Sequence, residues 1–267
     1  MSRIAATFDQ LHRAGRAALM PYLPMGYPQQ ESALALVPAL VEAGADLVEL
    51  GVPFSDPLAD GATIQAASQQ ALANGMTLSL CLEQAAALRG GGVEAPFILM
   101  GYYNPMLQMG LEEFARRAAE AGIDGVIVPD LPPEESIALQ SALDVQAIAL
   151  ILLAAPTCDR ERLQLVAART SGFLYLVSLT GVTGARDQLP TDLENFVAHA
   201  RAATSLPLAV GFGISTPDQA ARVARIADGV IVGSALVRAV AAGRDPVVAA
   251  STFVASLRAG IDSQAHS

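Results

Sequence analysis

Eight short runs in this chain are apolar at both odd and even positions, and Ala-rich stretches of helical period separate them. The runs are 18–23, 47–51, 97–102, 125–128, 147–152, 173–177, 208–211 and 229–232. A strand with one wet face alternates polar and apolar residues, whereas a strand covered on both faces does not. These eight therefore read as parallel strands buried beneath helices. In the intervening segment 32–43, Leu34, Val37, Leu40 and Val41 fall on one helical stripe. Eight units in 267 residues average about 33 each, the size of one strand–helix repeat.

Local self-similarity supports repetition. AGADLVELG begins at Ala43, AGIDGVIVPD at Ala121 and ADGVIVGSA at Ala227. In each, small residues lead through an Asp into a strand. The expected fold is α/β, a closed (β/α)8 TIM barrel forming one domain over residues 1–267. An open doubly wound sheet competes, but no GxGxxG follows the first strand. An extra helix should precede the barrel: Ile4, Phe8 and Leu11 recur at i, i+4 and i+7 and would cover its N-terminal mouth.

Size and composition agree. A chain of 27.6 kDa buries roughly 73% of its unfolded surface, so its core needs no disulfide or metal staple. Charged residues are only 16% and hydrophobic ones 52%, which excludes disorder and a coiled coil. The net charge of −10 lacks the basic footprint that nucleic acid requires. All sixteen cations are arginine. Without lysine the chain cannot form a Schiff base, hold pyridoxal phosphate through one, or build a Walker-type phosphate site. Cys81 and Cys158 stand apart with no clustered histidine, so neither zinc nor a disulfide framework is expected. The N-terminus has no signal-peptide core, and the longest apolar run, 147–156, is too short to span a bilayer of ~30 Å. A soluble cytoplasmic protein is expected.

The chemistry concentrates in 47–61, LVELGVPFSDPLADG. Glu49 is the one ionisable side chain of an apolar strand and lies near its C-terminal end, where barrel active sites form. An unpaired carboxylate buried there costs several kcal/mol, so it implies a raised pKa and a task. The following loop carries Asp56 and Asp60, either of which is a second candidate acid, although Asp-Pro and Asp-Gly also serve simply as turns. Three Gly-rich turns follow the last three strands: 181–184 (GVTG), 211–215 (GFGIS) and 233–235 (GSA). Their amides and helix N-termini suit a phosphate.

With these motifs in view, the sequence closely resembles the tryptophan synthase alpha-chain family over nearly its whole length. VELGVPFSDPLADG is the most specific match; GVTGAR, GFGIS and VGSA follow in the family's order, and 100–105 (MGYYNP) and 129–136 (PDLPPEES) also fit. Pro24, Tyr27, Ala62 and Leu179 depart from the usual pattern. The resemblance implies a (β/α)8 barrel that cleaves indole-3-glycerol phosphate to indole and glyceraldehyde 3-phosphate without metal or organic cofactor.

By the same resemblance, Glu49 is the acid/base, Asp60 stabilises charge at the indole N–H, and Tyr175 lies near the reacting glycerol. Thr183 belongs to a mobile lid. Gly184, Gly213, Gly233 and Ser234 meet the phosphate, and Tyr22, Leu99, Met100 and Phe212 line the indole slot. The resemblance also implies a pyridoxal-phosphate-dependent beta chain as partner in an alpha2beta2 heterotetramer, met through Pro53, Asp56, Asn104, Pro105, Pro132, Glu134 and Glu135. Two alternatives remain: a phosphate-sugar isomerase or epimerase on the same barrel, and a regulatory barrel that activates a beta partner.

Overall fold

The structure, a computed structural model, describes residues 2–177, 192–211 and 213–263. Nine parallel strand segments are present among them: β1 (Ala18–Pro24), β2 (Val48–Gly51), β3 (Phe97–Met100), β4 (Gly125–Ile127), β5 (Ala149–Ile151), β6 (Leu153–Ala154), β7 (Leu174–Val177), β8 (Leu208–Gly211) and β9 (Gly229–Val232). Their order is β5-β4-β3-β2-β1-β9-β8-β7-β6. β5 and β6 are separated only by Leu152. The run pairs with β4 on one side (Ile127 opposite Ile151) and with β7 on the other (Leu153 opposite Tyr175). It therefore acts as one barrel strand, and the eight expected strands form the barrel wall.

Strand parity divides the core in two. Inward side chains, among them Met20, Leu47, Ile98, Met100, Ile127, Ile151, Phe173, Tyr175 and Ile231, fill the barrel. Their neighbours, such as Leu19, Val48, Leu50, Leu99, Val126, Leu174, Val210 and Val230, pack outward against the helices. Both sets are apolar because both are buried, which is why the sequence shows no alternation.

The first helix, Arg3–Arg13, closes the floor. Ser2 caps it, and its buried face is Ile4, Phe8 and Leu11. Phe8 meets the inward Phe173 with ring centroids 5.7 Å apart. The expected cover over the N-terminal mouth is there.

The repeated Asp before a strand has a structural cause. Asp46 Oδ2 accepts the Leu19 N–H at the start of β1 at 2.8 Å. Asp124 Oδ2 accepts the Phe97 N–H of β3 at 2.9 Å, and Asp228 Oδ2 the Leu208 N–H of β8 at 2.7 Å. Each thus satisfies an amide at the start of the preceding strand. An arginine holds each in turn: Arg258 on Asp46, Arg89 and Arg3 on Asp124, and Arg201 on Asp228. Ionic work at this end of the barrel serves stability, and the opposite end is left for chemistry.

Some boundaries differ from the sequence expectation. β3 stops at Met100 because the chain turns at Gly101 and Tyr102 into the helix Tyr103–Met109. β5 starts at Ala149 rather than at 147 because Ala147 takes a left-handed turn (φ 56°) after the helix Ile137–Val145.

Candidate active site

At the C-terminal mouth, a cavity is lined by residues from the ends of β1, β2, β3, β7 and β9 and from the loops and helix starts that follow β2, β8 and β9. Glu49 is on the inward parity of β2, opposite Tyr22 of β1 and Ile98 of β3. It is 1% exposed, and neither carboxyl oxygen has a hydrogen-bond partner among the described residues. Burial, and secondarily the nearby Asp60 charge, push its pKa from 4.5 to about 8.

Asp60 arrives on the loop after β2, which several contacts fasten. Ser68 Oγ accepts the Phe54 N–H at 3.0 Å, and Gln65 Nε2 donates to the Asp60 carbonyl at 2.8 Å. The Tyr102 hydroxyl accepts the Ala59 N–H at 3.0 Å and donates to Asp60 Oδ2 at 3.2 Å. The Tyr102 ring stacks on Phe54, centroids 5.1 Å apart. Burial raises the Asp60 pKa from 3.8 to about 6, and the Tyr102 hydrogen bond limits the rise by favouring the charged form.

Two phenols complete this side. A Cβ built on Gly51 would lie 2.2 Å from the Tyr22 hydroxyl, and one on Gly211 would lie 2.2 Å from that of Tyr175. Glycine at both strand ends lets the rings lie across the mouth. Burial raises both phenol pKa values, with Glu49 and Asp60 adding to the effect, so each hydroxyl keeps its proton. Tyr22, expected as an apolar wall, thus also presents a hydroxyl near the two carboxyl groups.

The β8–β9 side is built from backbone. Gly213 has φ 80°, and Gln219 Oε1 fixes the turn by accepting the Ser215 and Thr216 N–H groups at 2.8 and 3.2 Å. Gly233 precedes the helix Ser234–Ala242, whose N-terminus no side chain caps. Gly213, Ile214, Ser215, Gly233, Ser234 and Ala235 all line the cavity.

Of the residues singled out from sequence, Tyr22, Glu49, Asp60, Met100, Tyr175, Gly213, Gly233 and Ser234 come together here. Leu99 does not: it alternates with Met100 and packs outward in the helix layer. Thr183, Gly184, Leu179 and Phe212 lie outside the described residues. The sequence singled out neither Thr63, Ile64, Ile231 and Arg238, which line the cavity, nor Tyr102, which holds Asp60. The placement of Tyr102 after β3, beside the 47–61 loop, was the available signal.

Fold and site together define a barrel of the enzyme type, with one buried and one half-buried carboxyl group at the C-terminal mouth, where barrel enzymes place their chemistry. The sequence profile of the family described as "Tryptophan synthase alpha chain" matches residues 8–262. A tryptophan synthase alpha chain of Roseiflexus sp. (strain RS-1) is 56% identical over 260 residues, covering 97% of this chain and 100% of the relative. That of Geobacter sulfurreducens is 49% identical, covering 98% and 99%. Among solved structures, tryptophan synthase subunit alpha from Legionella pneumophila str. Paris superimposes with a TM-score of 0.92 at 40% identity, covering 98% of this chain and 99% of that one. A chain of Mycobacterium tuberculosis tryptophan synthase gives 0.90 at 39% identity, covering 97% and 98%. The chain belongs to the tryptophan synthase alpha-chain family. It is a lyase of the alpha reaction, the cleavage of indole-3-glycerol phosphate in tryptophan biosynthesis.

Proposed function

We propose that Glu49 and Asp60 divide the alpha reaction between them, a reading carried by their placement at one cavity, Glu49 buried without a hydrogen-bond partner among the described residues and Asp60 held by the Tyr102 hydroxyl. Glu49, with a pKa of about 8, holds its proton; Asp60, at about 6, is ionised. Two carboxyl groups pushed apart in this way mark an acid and an electrostatic partner.

In the cleavage, ring carbon 3 of indole is a poor leaving group until it is protonated. Glu49 delivers that proton, and positive charge develops at the ring N–H, where the Asp60 carboxylate opposes it. The bond from carbon 3 to the side-chain carbon then breaks, its electron pair returning to the ring. The hydroxyl on that side-chain carbon gives its proton to the Glu49 carboxylate and becomes the aldehyde of glyceraldehyde 3-phosphate. Glu49 ends as it began, so the cycle balances. The Tyr22 and Tyr175 hydroxyls face the reacting side chain as donors, and Met100 and Ile231 offer an apolar wall for the ring. Amides at Gly213, Gly233 and Ser234 meet the phosphate. By resemblance Thr183, Gly184 and Phe212 join this site, and all three lie outside the described residues.

The partner in this reading is a beta chain, joined in an alpha2beta2 assembly. Asp56, Glu134 and Glu135 are exposed on loops at the cavity end, Asn104 is exposed at the start of the helix Tyr103–Met109, and Leu58 is 91% exposed. Pro53, which the resemblance also sets against the partner, is buried in the chain by itself, and Pro105 and Pro132 are half-buried. Among the described residues no helix is long and apolar enough to cross a membrane; the cytoplasmic setting rests on the family's biosynthetic role.

The deciding assay is indole release from indole-3-glycerol phosphate by the purified chain, alone and with a beta chain. Weak release alone and a large gain on mixing are expected. Release in neither state would leave the regulatory reading, and turnover of a pentose phosphate instead would favour the isomerase.

A further inference from the structure

A dianionic phosphate entering this cavity meets an acidic protein, net charge −10, and an ionised Asp60. Backbone amides alone would have to offset that repulsion. The cavity lining contains a single cation among the described residues, Arg238. It lies in the second turn of the helix Ser234–Ala242, four residues after Ser234 and therefore on the same face. Helical side chains lean towards the N-terminus, and Arg238 lines the cavity together with Ser234 and Ala235, which open the uncapped helix. Most arginines here have an acidic partner, such as Arg89 with Asp124 or Arg258 with Asp46. Arg238 makes no hydrogen bond or ion pair among the described residues, and it is half-buried.

We infer that Arg238 is the cation that binds the substrate phosphate and makes the site selective for a phosphorylated side chain over a neutral one. The inference rests on the assignment of this cavity to indole-3-glycerol phosphate. Guanidinium–phosphate hydrogen bonds are charge-assisted and geometrically matched, and the helix N-terminus supplies the remaining donors. Arg238 binds and takes no part in proton transfer, so its effect belongs in KM.

The test compares wild type, Arg238→Gln and Arg238→Lys with indole-3-glycerol phosphate and with its dephosphorylated counterpart. Glutamine and lysine are good helix formers, so the fold is retained in both variants. For Arg238→Gln, KM for the phosphorylated substrate should rise about tenfold or more, with kcat within about threefold. Arg238→Lys should recover most of that loss, and the gap between wild type and Arg238→Gln should narrow as salt is raised. On the dephosphorylated substrate the wild type and Arg238→Gln should be equal. An unchanged KM in Arg238→Gln overturns the inference, as does an equal loss on both substrates. Wild-type turnover of indole-3-glycerol phosphate is the separate check on the assigned activity: if it is absent, that assignment fails, whatever the variants do.

Discussion

Replacing Glu49 with glutamine should make the protein more stable while stopping its reaction. In the folded chain the carboxyl group titrates at about 8, against 4.5 when unperturbed. Between those pH values the unfolded chain has released a proton that the folded chain keeps, so stability falls as pH rises. The contribution of the protonated form is complete below 4.5 and is lost as pH climbs to about 8. At about 1.4 kcal/mol per pH unit, the loss is about 3 kcal/mol at pH 7 and about 5 above pH 8. Glutamine nearly matches the neutral carboxyl group in shape and carries no proton to lose. Glu49→Gln should therefore equal wild type near pH 4 and exceed it by about 3 kcal/mol at pH 7, roughly 1 M in urea midpoint. The chain has no tryptophan, so circular dichroism is the suitable probe. Indole formation should fall by at least about a hundredfold in the same variant. A stability gap that is constant from pH 4 to 8.5, or a variant less stable than wild type throughout, would refute burial as the cause of the raised pKa. Near-normal turnover would refute the catalytic role.

Turnover against pH should form a bell, rising near 6 as Asp60 ionises and falling near 8 as Glu49 loses its proton; a profile still rising at pH 9 would contradict the assignment. Tyr102→Phe removes the bond that lowers the Asp60 pKa, so the acidic limb should move to higher pH while the alkaline limb holds; no movement would mean that Tyr102 only packs. Asp60→Asn should cut kcat by about a hundredfold or more with a small change in KM, and a dominant KM effect would recast Asp60 as a binding group. Phe8→Ala, at the barrel floor, should cost about 3 kcal/mol in denaturation while leaving kcat at 25 °C untouched; a loss of activity in protein still folded would tie the floor to the site.

Much of this molecule is written locally. Burial on both faces demands strands apolar at every position, so the eight barrel strands stand out, as does Glu49, the one acid among them. The i, i+4, i+7 spacing of Ile4, Phe8 and Leu11 likewise gave the floor helix and its buried face. The same uniform greasiness hides which residue of a pair points inward. Met100 enters the cavity and Leu99 faces the helices, and a strand without period-two alternation carries no mark of that choice.

The rest depends on groups far apart in the chain. The Asp before a strand is visible as a repeat, but its purpose, satisfying an amide at the start of the neighbouring strand, exists only once strands pair. Tyr102 reaches Asp60 across 42 residues, and Arg238 joins Glu49 at one cavity only because β9 closes beside β1, which in turn pairs with β2. Residue types and their order determined the barrel and its acid. Closure of the barrel decided the environment of that acid, because desolvation and the fields of neighbouring charges are properties of three-dimensional surroundings.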